Sequence, residues 1–329
     1  MRTQICLDTS IRSSRAMKMR MPATAVAVVM VAGIVASACS SSTAQRASTG
    51  KQATGIVSAV GAENEYANVI SQIGGRYVDA KAIMSNPNTD PHTFESSPSV
   101  AQVVSSAELV VQNGVGYDTF MNRIEAASPD PSRRVIEVQQ LLGLPSSTRN
   151  PHLWYKPTTM PAVAKAIEAD LSSIDPGHSG YFRANLRRFD ASLQPWYNAI
   201  AKLKSSFGGT PVAVTEPVAD YMLQAAGAEI KTPWPLQADI MNGVDPPPQD
   251  VTFQDQLFKS HQVKVFLYNQ QVTDTLTQSF LSRAKQYGIP VVGVYETMPT
   301  PGYDYQSWML AEVNALTKAI TDNVSTQRL

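Results

Sequence analysis

The chain has 329 residues, 43% hydrophobic and only 16% charged, a length that suits about two domains rather than one. Its 27 basic and 27 acidic residues cancel, which argues against a basic nucleic-acid binder. Two cysteines exclude a disulfide-stapled scaffold and any Cys-rich zinc or iron–sulfur site.

At the N-terminus, Arg12, Arg15, Lys18 and Arg20 precede an apolar or small stretch over 22–38, which ends Ala36-Ser37-Ala38-Cys39. A basic region, an apolar region and a small-residue cleavage site predict a signal peptide over 1–38. A single membrane anchor is the competing reading, since the stretch falls just short of the roughly 20 residues a span needs. Met17 or Met19 as the start would give a more ordinary signal peptide. The cysteine after the small residues resembles a bacterial lipobox, with Ala36 where Leu or Val is usual. Cys39 is therefore the expected lipidation site, and residues 39–54, rich in Ser, Thr, Ala, Gln and Gly, the expected tether. Removing Arg2, Arg12, Arg15, Lys18, Arg20 and Asp8 with the signal leaves 22 basic against 26 acidic residues, a net of −4. Cys39 is then the one remaining thiol, so a metal site would have to use His, Asp and Glu.

Beyond the tether, short apolar runs bounded by turn residues read as buried strands at 55–60, 78–84, 109–112, 212–215, 263–268 and 291–295. Helical patterns lie between most of them. Tyr66, Val69, Ile70 and Ile73 share one face of a helix that ends at Gly74-Gly75, and Val100, Val103 and Val104 begin another. Strands alternating with helices predict an α/β fold with mainly parallel sheets. From 180 to 207 the apolar positions Leu186, Phe189, Leu193, Trp196, Ile200 and Leu203 predict one long amphipathic helix, interrupted at Pro195 and terminated by Gly208-Gly209. It divides the chain into a first lobe over 55–175, a connecting helix over 176–208 and a second lobe over 209–329. No further apolar run approaches membrane length.

Four histidines are available for chemistry. His92 follows a predicted strand, in the loop Asn86-Pro87-Asn88-Thr89-Asp90-Pro91-His92. Ligands of α/β folds sit at such strand ends, although an ordinary exposed His fits equally. His152, in Asn150-Pro151-His152-Leu153-Trp154-Tyr155, is a second loop His directly after Pro. Proline removes backbone freedom, so binding there loses less entropy. Glu216 and Glu296 close the strands that begin at Pro211 and Pro290. A carboxylate so placed is partly buried and needs a partner, which a salt bridge or a helix N-terminus could also supply. His178 and His261 read as surface residues. Gly114-Val115-Gly116 lacks the third glycine of a dinucleotide fingerprint, and no nucleophile elbow, phosphate loop or His-Glu-x-x-His stands in the chain. Tyr117-Asp118 and Tyr303-Asp304 could be catalytic, but neither neighbours a predicted base.

Several blocks in order then carry a resemblance. They are Asn86 to His92 with Phe94-Glu95-Ser96-Ser97-Pro98, Ala107 to Asp118, Asn150 to Tyr155, Val214-Thr215-Glu216-Pro217, Tyr268-Asn269-Gln270-Gln271 and Tyr303 to Met309. Over 57–316 the chain resembles the metal-binding lipoproteins of bacterial ABC importers for zinc, manganese and iron, the cluster A-I solute-binding proteins. The resemblance implies two (β/α) lobes joined by one rigid helix, with the metal in the cleft between them. It implies four ligands: His92, His152, Glu216, at a position that is His in many zinc-type members, and Glu296, where Asp is more usual. The His- and acid-rich loop of many zinc-type members is absent, since 93–151 holds no histidine.

The expected function is capture of one divalent metal outside the cytoplasm and delivery to an ABC permease with its ATPase. The chain would be a monomer anchored to the cell membrane through Cys39, with no catalysis and no nucleic-acid partner. Two imidazoles and two carboxylates order the metals Mn²⁺, Zn²⁺, Fe²⁺, although Zn²⁺ would bind such a site more tightly by intrinsic affinity. A surface adhesin with incidental metal and a secreted metallohydrolase remain the alternatives.

Overall fold

The computed structural model describes residues 55–88 and 91–329. The expected signal peptide, Cys39 and the expected tether, as well as Thr89 and Asp90, lie outside the described residues. No described helix is long and apolar enough to cross a membrane.

Two four-stranded sheets are built on one plan. The first contains β1 (Val57–Glu63), β2 (Val78–Met84), β3 (Leu109–Gln112) and β4 (Arg134–Glu137), in the order β2-β1-β3-β4. The second contains β5 (Pro211–Val214), β6 (Glu229–Ile230), β7 (Val265–Asn269) and β8 (Val291–Val294), in the order β6-β5-β7-β8. Every strand pair is parallel, so the α/β expectation holds and each sheet presents all its strand C-termini at one edge. The central strands β3 and β7 are buried along their whole length, as continuous apolar runs require.

The helix Asn64–Gly74 follows β1 directly and buries Tyr66, Val69, Ile70 and Ile73, the face its spacing predicts. Gly61 permits the close turn, because a Cβ there would lie 2.3 Å from the backbone N of Ala67. The connector is two helices, Ser179–Ser192 and Gln194–Phe207, and the break falls at Leu193. Pro195 accounts for it: the residue donates no N–H, and its ring crowds the carbonyl four residues earlier. Phe189 and Trp196, on either side of the break, both pack against Tyr305 at the start of the C-terminal helix Tyr305–Asp322. One hydrophobic core runs from Val57 and Leu109 through Trp154, Trp196 and Trp308 to Val265 and Val292, and so joins the inner faces of both sheets. Smaller clusters around Val110 and Phe266 cover the outer faces.

Candidate metal centre

The strand C-termini of both sheets supply the site. His92 lies in a single 3-10 turn, Pro91–Thr93, on the segment that leaves β2. His152 immediately precedes a second such turn, Leu153–Tyr155. Glu296 follows the end of β8 by two residues, and Glu216 follows the end of β5 by two. His152 and Glu296 are fully buried, Glu216 is 1% exposed, and the His92 side chain is 24% exposed.

Three of these side chains converge. His92 Nε2 lies 3.1 Å and His152 Nε2 lies 3.3 Å from the same oxygen, Glu296 Oε2. Among the described residues, this is the one group of three or more His, Cys, Asp or Glu side chains with ligand atoms within 4.8 Å of one another. Bonds of about 2.0–2.2 Å to one ion place neighbouring ligand atoms roughly 3.0–3.5 Å apart, so both separations suit a shared cation. Glu216 stands outside this group, but Asn269 links it in. The Asn269 Nδ2 donates to Glu296 Oε1 at 2.6 Å and to Glu216 Oε1 at 3.1 Å.

The hydrogen bonds behind these side chains fix how they face. Asn150 Nδ2 donates to the Pro217 carbonyl at 2.7 Å, which turns Asn150 Oδ1 toward His152. That oxygen accepts the His152 backbone N–H at 2.9 Å and meets Nδ1 at 2.8 Å. Nδ1 therefore carries the proton, and in the neutral ring Nε2 presents a lone pair to Glu296. Burial holds His152 below the ordinary histidine pKa and outweighs the pull of Glu296 toward the charged form. Burial also pushes the Glu296 carboxyl upward, but the facing His92 and His152 overturn that and hold it below the usual carboxylate range. A neutral imidazole lone pair against a carboxylate oxygen is a contact between two acceptors. A cation shared by the two atoms relieves such a contact.

Tyr117 O–H donates to Glu296 Oε2 at 2.9 Å. Gln271 Oε1 accepts the backbone N–H groups of Glu296 and Thr297 at 2.7 and 2.9 Å, which pins the turn after β8. Behind Tyr117, burial pushes Glu63 and Glu65 well above the usual carboxylate range and Asp118 up to about 6.

A neutral imidazole beside an ionised carboxylate, aimed at a common point by an asparagine on each side, is a donor set that could hold a divalent metal. The sequence comparison agrees. A family described as zinc-uptake complex component A, periplasmic, matches residues 60–319. The chain belongs to this family.

The family is one of metal-binding, substrate-binding components of ABC importers, not of enzymes. The manganese-binding lipoprotein MntA of Bacillus subtilis is 24% identical over 158 residues, 45% of this chain and 50% of that protein. A putative metal-binding protein of Treponema pallidum is 25% identical over 52% of this chain and 58% of its own length. The chain thus spans about half the length of these curated relatives. Among solved structures, the periplasmic zinc-binding protein TroA of Treponema pallidum superposes with a TM-score of 0.68 at 16% identity, covering 83% of this chain and all of that one. The Pseudomonas aeruginosa binding protein FpvC, solved with Ni²⁺, gives 0.66 at 20% identity over 82% of this chain and 98% of its own. Both likenesses concern the fold.

The remaining candidates of the sequence take structural places. His178 Nδ1 lies 2.6 Å from Asp175 Oδ2, and its ring stacks on Tyr77. His261 is exposed. Asp304 caps the helix Tyr305–Asp322 by accepting the Ser307 N–H at 2.9 Å. Sequence reasoning gave no metal role to Tyr117, Asn150, Asn269 or Gln271. The available signal was position: Asn150 stands two residues before His152, and Asn269 closes β7 as Asn113 follows β3.

Proposed function

We propose that this chain captures one divalent transition metal outside the cytoplasm and delivers it to an ABC permease with its ATPase, acting as a monomeric solute-binding lipoprotein. His92, His152 and Glu296 hold the ion, and Glu216 supports the site from the second lobe. Cys39 carries the lipid anchor that keeps the protein at the cell membrane. The lobes run over 55–175 and 209–329, with the paired helices of 176–208 between them.

The observation that carries this reading is the contact of His152 Nε2 with Glu296 Oε2 at 3.3 Å, where the imidazole is neutral and its proton is held on the far side by Asn150. Two imidazoles with carboxylate oxygen suit a borderline-to-hard ion, and the order of fit is Mn²⁺, Zn²⁺, Fe²⁺. The names of the manganese-binding relatives support that order, and the family description supports zinc. Elemental analysis of the protein purified without chelator or affinity metal tests the proposal. About one equivalent of metal, lost in His92→Ala, is expected; a metal-free protein that takes up neither Mn²⁺ nor Zn²⁺ overturns it.

A further inference from the structure

Asn64, Asn68 and Gln72 stand four residues apart on the helix Asn64–Gly74 and so form one row along it. The row lies on the side away from Tyr66, Val69, Ile70 and Ile73, which enter the core. A polar row opposite an apolar face ordinarily meets water. Here Asn64 is 6% exposed, and Asn68 and Gln72 are half-buried. What covers them is the stretch that follows Glu296, residues 298–306 of the second lobe.

Each amide takes a partner there. Asn64 exchanges two hydrogen bonds with the Met298 backbone, both at 2.8 Å. Asn68 Oδ1 accepts the Tyr305 N–H at 3.0 Å. Gln72 and Gln306 exchange a pair of amide hydrogen bonds, at 3.0 and 2.9 Å. Gln72 Nε2 also donates to Asn68 Oδ1 at 2.7 Å, which ties the last two positions of the row together.

The turn that carries Glu296 is therefore held from two sides. From the second lobe, Asn269 Nδ2 donates to Glu296 Oε1, and Gln271 Oε1 accepts the Glu296 and Thr297 N–H groups. From the first lobe, Tyr155 O–H donates to the Tyr295 carbonyl at 2.8 Å on one flank, and the amide row holds 298–306 on the other. His92 and His152 both belong to the first lobe. While the row is intact, Glu296 stays beside them. Once it breaks, Asn269 and Gln271 draw the carboxylate with the second sheet, away from both imidazoles.

We infer that this amide row positions Glu296 against the two histidines and sets how long a bound ion stays. Asn68 and Gln72 act through 298–306 and not on the ion. The inference rests on the metal-binding reading above and adds the control of release. The two ends of the row differ. Asn64 is buried and bonds to backbone, whereas Gln72 and Gln306 meet through side chains beside a cavity of about 230 Å³ that Arg188 also lines. Water competes for hydrogen bonds at that end, so opening begins there.

The test reverses one charge across the Gln72–Gln306 contact. Gln72→Lys with Gln306→Lys places two positive charges beside Arg188 and drives the contact apart. Gln72→Lys with Gln306→Glu restores a bridge. Each protein is loaded with Mn²⁺ and mixed with EDTA, at concentrations where the rate no longer depends on chelator. Trp154, its ring 5.5 Å from that of His152, reports the loss of metal by fluorescence. The double-lysine variant should release Mn²⁺ about 10-fold faster than wild type, with association nearly unchanged. The Lys–Glu variant should return close to the wild-type rate. Asn68→Ala and Asn68→Asp give a second comparison: the first removes the acceptor for the Tyr305 N–H and should speed release, and the second keeps it. Release unchanged in the double-lysine variant, or equally fast in both charge variants, overturns the inference and leaves the metal site standing. Wild type that binds no Mn²⁺ overturns both.

Discussion

Asn64 and Met298 are joined by a reciprocal pair of hydrogen bonds. Asn64 Nδ2 donates to the Met298 carbonyl at 2.8 Å, and the Met298 N–H donates to Asn64 Oδ1 at 2.8 Å. Asn64 begins the helix after β1, and Met298 lies two residues beyond Glu296. One side chain of the first lobe thus holds the backbone that carries the Glu296 carboxylate. Asn64→Ala leaves two buried backbone groups without partners, and a loss of about 1–3 kcal/mol is expected in urea unfolding. Metal affinity should fall with it, because the Glu296 turn is no longer fixed. An unchanged unfolding midpoint would contradict this role.

Asn150 holds the proton on His152 Nδ1 and is not itself one of the proposed ligands. Asn150→Ala should weaken metal binding by about 10–100-fold at an unchanged stoichiometry. Asn150→Asp keeps an acceptor for Nδ1 and should recover much of the loss. Calorimetric titration of both variants reads the difference, and equal affinities for the two would argue against control of the tautomer.

Glu296 and Glu216 are unequal in the structure, although the sequence treats them alike. Glu296 touches both histidines, whereas Glu216 is joined to the centre through Asn269. Glu296→Gln should therefore lower affinity by more than Glu216→Gln. Equal losses in competitive titration would mean that Glu216 reaches the ion directly.

Much of this arrangement is legible in the residues. The six strands read from apolar runs are β1, β2, β3, β5, β7 and β8, with ends displaced by up to three residues. The two that escape are β4 and β6. Both lie at sheet edges; β4 has two exposed residues of four and β6 only two residues, so neither makes an apolar run. The histidines and strand-ending carboxylates were visible because charged or ligating groups at strand C-termini interrupt hydrophobic patterns. Tyr117, Asn150 and Asn269 were not. Their role depends on which partner faces them across 179, 67 and 53 or fewer positions of sequence, and neutral polar residues carry no local signature of that.

Glu312 makes stability depend on pH. Burial pushes its carboxyl up to about 8, although Tyr155 O–H and Trp308 Nε1–H donate to Oε1 at 2.7 and 2.8 Å. The folded state therefore keeps a proton that the unfolded chain releases above about pH 4.5. Its stabilising contribution is complete below that pH and is lost as pH rises through about 8. The slope approaches about 1.4 kcal/mol per pH unit between those limits. Glu312→Gln should flatten this part of the stability curve, as measured by urea unfolding from pH 5 to 8.5. Asp220, pushed up to about 7 by burial, acts in the same direction and should remain in that variant. A parallel pH dependence in wild type and Glu312→Gln would show that this carboxyl does not carry the effect.

In the proposed site His152, with its proton held by Asn150, offers Nε2 to a metal shared with Glu296 and His92. Calorimetric titration of metal-stripped wild type and His152→Ala with Mn²⁺ and with Zn²⁺ tests it most directly, with circular dichroism to confirm that both are folded. One tight equivalent in wild type, weakened by orders of magnitude in the variant, is the predicted result. Equal affinity in both proteins, or no binding in wild type, would contradict it.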